Sequence, residues 1–151
     1  MDSVIIFIHV VAGTVLVSMS SIMQLIVGPA INLLPNGPEK KLVTDKLKKR
    51  RVPIMDGAII IQILTAMYLV HARWHMIISE RVMIIKGLSG IVALSLAFSA
   101  HFYFRGKKNK LQAAGKLDEL NLLNKKTRFI EPLVLLFGAI AYFLGIYFNH
   151  M

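Results

Sequence analysis

The stretch RVMIIKGLSGIVALSLAFSAHFYFRGKKNK, residues 81–110, decides the fold. Its apolar part, Val82 to Phe104, is long enough to cross a bilayer, which takes about 20 residues of helix. It nevertheless carries Lys86 near one end and His101 near the other. Three further runs have the same character: Val4 to about Val27, Pro53 to Ala72, and Ile130 to Phe148. With 56% hydrophobic residues and a mean hydropathy of +0.63, the chain is too apolar for a soluble domain of 151 residues. It has no cysteine, which excludes disulfides, iron–sulfur clusters and thiolate metal sites.

The reading is therefore all-α: a single integral-membrane four-helix bundle. Its helices are expected at about 4–34, 53–72, 82–104 and 130–148, with loops 35–52 and 105–129. Within these, EKKLVTDKLKKRR (39–51) has helical spacing and reads as an extension or surface helix, and KLDELNLLNKKTRF (116–129) looks similar, with Leu117, Leu120 and Leu123 placed to lie on the interface. Gly28-Pro29 is expected to kink or stop the first helix, because proline lacks the N–H that continues the ladder. The first run has no basic leader and no small-residue cleavage site, so it reads as a retained helix rather than a signal peptide.

The net charge of +10 would point to nucleic acid in a soluble protein. Here the cations gather in two blocks between apolar runs. Lys40, Lys41, Lys46, Lys48, Lys49, Arg50 and Arg51 form one, and eight more lie from Arg105 to Arg128. The connection at 73–81 holds only Arg73 and Arg81. The positive-inside rule puts both basic loops in the cytoplasm and both termini outside. For a bacterial inner membrane that means periplasmic termini. The blocks serve as topology determinants, with anionic lipid or nucleotide contact as the alternative. Nucleic acid is not an expected partner; the bilayer is, and a homo-oligomer is possible.

Small and polar residues share faces. His9, Gly13, Ser20, Gln24 and Gly28 recur at helical spacing on the first helix, as do Lys86, Gly90, Ala93, Ala97 and His101 on the third and Glu131, Gly138, Tyr142 and Gly145 on the fourth. Such faces look inward, because membrane helices associate through close packing of small residues. At 1.5 Å per residue, His9 lies about 8 Å below the outer boundary, and His101 lies about 22 Å deeper than Lys86. Two layers result. The outer one gathers His9, His71 and Lys86, with His75 nearby. The inner one gathers Asp56, His101, Arg105 and Glu131, which read as a structural cluster tying helix ends together.

Intramembrane ionisable residues are functional candidates because each is costly unless paired. Zinc would want more carboxylate or thiolate help than the outer layer offers. Copper could take His9, Met67 and His71. Haem b needs one or two axial ligands from facing helices and an apolar slot. His9 and His71 are the candidate axial pair, with Lys86 as an alternative second ligand. Gly13 and Gly90 would clear space for the macrocycle. Lys86 or Arg73 would neutralise propionates.

Three segments carry a family resemblance: FIHVVAGTVLVS at 7–18, HFYFRGK at 101–107 and NKKTRFIEPLVLLF at 124–137. They resemble the HemJ membrane protoporphyrinogen oxidases and the CopD copper-resistance membrane domain. The matching positions are His9, Arg50 or Arg51 before helix two, Lys86, His101 with Phe102 and Tyr103, and Glu131-Pro132. The likeness to HemJ implies haem b bound with help from the helix-one histidine, and oxidation of protoporphyrinogen IX by a membrane electron acceptor. Several functions are therefore expected in competition. The first is a haem-b electron-transfer protein working between a quinone pool and an outside redox protein. The second is the oxidase, its slot lined by His9, Lys86 and Arg51. The third is a copper transporter or assembly protein, and the fourth a haemless subunit whose polar groups only pack.

Overall fold

The structure, a computed structural model, describes residues 2–149, without the side chains at 76, 78 and 146–149. Among the described residues every regular element is a helix. Four helical stretches are long and apolar enough to cross a membrane: Asp2–Asn32, Pro38–Ala72, Arg81–Ala113 and Leu117–Gly145. Only 17% of the most apolar window of each of the first three is buried, and none of the fourth. Apolar surface turned outward on this scale needs lipid as its solvent. The chain is a multi-pass membrane protein whose helices meet the bilayer.

The chain divides between residues 75 and 76 into two units. The first is a hairpin of α1 (Asp2–Asn32) and α2 (Pro38–Ala72), followed by the short α3 (Trp74–Ser79), which begins in this unit. Its buried residues are Ala12, Leu16 and Ser20 on α1, spaced by four, and Met55, Ala58 and Ile59 on α2. The expected stop at Gly28-Pro29 does not occur. Instead a π-helical turn, Met23–Val27, precedes the proline, and the Gly28 N–H donates to the Met23 carbonyl. Widening the ladder by one residue lets the helix absorb Pro29 and run on to Asn32.

α2 likewise runs through Pro53. The helical spacing read in the basic segment at 39–51 is borne out: from Pro38 onward the segment is helix continuous with the span. Its lysines and leucines are good helix formers, and the proline at its first position suits a helix start. Lys40 caps the turn before it, its Nζ donating to the Leu34 carbonyl and to Asn36 Oδ1, both at 3.3 Å.

The second unit pairs α4 (Arg81–Ala113) with α6 (Ile130–Asn149), joined through α5 (Leu117–Thr127). Ser89, Ala93 and Ala97 form the buried stripe of α4. α4 also contains a π turn, Ser99–Phe104, with His101 inside it. It ends at Gly115, whose φ is +69°. There the Lys116 N–H donates to the Leu111 carbonyl at 3.0 Å and the Gly115 N–H to the Gln112 carbonyl at 3.2 Å. That pattern is a Schellman motif, and its left-handed residue favours glycine. α4 thus extends beyond the expected 104, and α5 forms within 116–129, where the helical spacing was read.

A histidine seam in the first hairpin

His9 is half-buried and faces α2. Its Nδ1 lies 2.8 Å from Thr65 Oγ1, and its Nε2 lies 3.1 Å from Gln62 Nε2. Gln62 and Thr65 are three residues apart, on one face of α2. The direction of each bond follows from the hydroxyl. Thr65 Oγ1 donates its single proton to the Ile61 carbonyl at 2.8 Å, so toward His9 it accepts. With the hydroxyl proton given to Ile61, Nδ1 carries the ring proton. In a neutral imidazole Nε2 is then the lone-pair nitrogen, and the Gln62 amide donates to it.

Gln62 is the less committed partner. Its Oε1 is buried with no hydrogen-bond partner. A Cβ at Gly13 would come within 3.4 Å of Gln62 Nε2. The missing side chain at Gly13 therefore lets this amide lie against α1. At this end of the hairpin Tyr68 Oη also donates to Asp2 Oδ1 at 3.0 Å.

The other outer-layer candidates of the first unit stand elsewhere in it. His71 follows Gln62 by nine residues, which places it about 180° around α2. It is exposed and lines a shallow depression with Met67, Val70 and Trp74. The hairpin does not bring His71 to His9. His75 is also exposed. Arg51 is half-buried but lies 14 residues before Thr65, about 21 Å along the axis, so it does not share a small slot with His9.

Lys86 belongs to the second unit and lies across α6. A Cβ at Gly145 would sit 3.2 Å from its Nζ and Cε. At Gly90 a Cβ would meet the Cβ of Ala141 at 4.0 Å, so this glycine sits at a helix–helix contact. These two approaches fix the antiparallel register of α4 and α6, and the same register sets Glu131 level with Ala100 and His101. Arg105 stands 5.9 Å from the Phe102 ring centroid, and Phe102 stands 4.8 Å from Phe98. The inner-layer residues of this unit therefore come to one end of it. Asp56 belongs to the first hairpin, and none of Asp56, His101, Arg105 and Glu131 is without a partner.

Gln62 and Thr65 were not singled out in the sequence. Their signal is a polar pair three residues apart inside an apolar run, the spacing of a single face. Among the described residues no three His, Asp or Glu side chains converge as a metal site. A haem iron, which takes one or two axial ligands, needs no such trio. No family model matches the chain, nor does any curated protein or solved structure.

Proposed function

We propose that this protein binds haem b in the membrane through His9 and passes electrons between a membrane quinol and a redox partner outside. One observation carries the reading: His9 Nδ1 lies 2.8 Å from Thr65 Oγ1, and with the ring proton on Nδ1 the basic nitrogen is Nε2. Histidines that ligate metals are commonly oriented in this way, by a hydrogen bond from the far ring nitrogen. Thr65 fixes the tautomer and the ring plane. Gln62 lies against Nε2 and can yield it for the loss of one hydrogen bond, since its other terminal atom is already unpartnered. Bound haem would supply a one-electron carrier. A second axial ligand is not assigned, because His71 lies on another face of α2. In the same reading the basic stretches 40–51 and 105–128 face the cytoplasm, both termini lie outside, and the membrane is the bacterial inner membrane.

The test is the visible spectrum of the purified protein, with and without added haemin. The expected result is a Soret band with split α and β bands on reduction in wild type, lost in His9→Ala and retained but shifted in Thr65→Val. A wild type that stays colourless with haemin, or a His9→Ala spectrum identical to wild type, overturns the proposal. Rescue of a strain lacking its protoporphyrinogen oxidase would extend the function to the HemJ-type reaction. A colourless protein carrying stoichiometric copper would replace it with the CopD-type reading.

A further inference from the structure

The two helices of the first hairpin have unequal apolar lengths. α1 is apolar over nearly all of its 31 residues, about 46 Å. α2 is apolar only from Pro53 to Ala72, roughly 20 residues or 30 Å, the thickness of the hydrocarbon core. The contacts of His9 with Gln62 and Thr65 fix the antiparallel register. That register carries the last third of α1 alongside the basic first turns of α2, and Gly28–Asn32 packs there.

At this level the hairpin is two-sided. Ile22, Leu25 and Ile26 on α1, and Leu33 just after its end, are all exposed apolar residues. Leu25 is 71% exposed, Ile26 64% and Leu33 86%. On α2, Lys41, Lys46, Lys48, Lys49 and Arg50 are exposed. An apolar stripe beside a cluster of cations matches the boundary where acyl chains meet anionic headgroups. Neither the hydrocarbon core nor bulk water suits both halves. Both helices also interrupt their regular ladder near this level, α1 at the π turn Met23–Val27 and α2 at Pro53. These are the places where helices bend.

We propose that the loop end of this hairpin is a docking surface for acidic phospholipid, with Leu25, Ile26 and Leu33 entering the acyl boundary while the α2 cations hold headgroup phosphates. The surface requires only that the hairpin spans the bilayer. It is independent of whether His9 holds haem.

The full chain carries one tryptophan, so Trp74→Phe gives a silent background. Leu25→Trp then reports on the loop end, and Leu64→Trp reports on the span. Each protein is reconstituted in phosphatidylcholine vesicles containing phosphatidylglycerol, with one lipid or the other brominated. The expected result at position 25 is quenching by both lipids, with a preference for phosphatidylglycerol on the order of fivefold per mole. Position 64 should show no preference. Lys46→Glu, Lys48→Glu and Lys49→Glu together should bring the ratio at position 25 to about one, while the signal at position 64 shows that the hairpin remains inserted. Absence of quenching at position 25, whether from water exposure or from cover by protein or a second copy, overturns the proposal. So does equal quenching by the two lipids in the unaltered basic segment.

Discussion

Replacing Thr65 with valine should weaken the first hairpin more than replacing Gln62 with leucine, although glutamine is the larger polar group. Thr65→Val keeps the side-chain shape and leaves the His9 Nδ1–H facing a methyl group. In a water-soluble interior a buried donor without an acceptor costs about 1–3 kcal/mol. Between membrane helices, hydrogen-bond couplings average about 0.6 kcal/mol and reach about 1.7. The lower range should govern here, because the separated helix still offers His9 partial partners at a depth of ~8 Å. A coupling near 1 kcal/mol is therefore expected for Thr65. Gln62→Leu loses a comparable bond, but it also removes the buried Oε1 that has no partner. The two effects offset, and the net change should fall within about 0.5 kcal/mol of zero. The assay is a double-mutant cycle with His9→Phe, read by reversible unfolding in mixed micelles. No coupling between His9→Phe and Thr65→Val, or a greater loss in Gln62→Leu than in Thr65→Val, would refute the bond directions assigned above.

Three further outcomes are expected. Gly115→Ala should cost about 1–2 kcal/mol at the left-handed Schellman position, whereas Gly106→Ala, with open space around its Cβ, should stabilise by about 0.4–1 kcal/mol; thermal unfolding of the two compares them. Gly28→Ala would bring a Cβ within 2.8 Å of the Met23 carbonyl oxygen, so the π turn must shift at a cost of about 1–3 kcal/mol, seen also as faster amide exchange over residues 23–28. Gly90→Leu should wedge α4 from α6 at Ala141 and cost about 1–3 kcal/mol, while Gly145→Ala should cost less than about 1 because only the flexible end of Lys86 has to give; unfolding midpoints separate the two.

The four spans were legible because the bilayer sets the length of an apolar run. The helix ends were not, because hydropathy marks the bilayer boundary and not the end of the ladder. Helical spacing at 39–51 and 116–129 did show, but not that the first would run unbroken into the span, nor that α4 stops only where Gly115 turns left-handed. His9 stood out as a polar residue in an apolar helix. Its partners did not, since three-residue spacing shows a shared face but not which helix that face meets. Gly13 read as room for a ligand, and the structure sets the Gln62 amide against it. Gly28 read as part of an inward stripe, but its absent side chain serves its own helix. His71 shared a depth with His9, yet depth carries no azimuth, and helical phase turns it away.

The hydrogen bond from His9 to Thr65 joins residues 56 positions apart. At roughly 5–20 residues per second of synthesis, α1 waits about 3–11 s before its partner leaves the ribosome. For that interval the imidazole enters lipid without the seam. An imidazole can make the passage as the neutral ring, whereas a carboxylate or an ammonium at position 9 would meet the translocon as an ion. Substitutions of that kind should fail at insertion, before the hairpin exists to be unfolded.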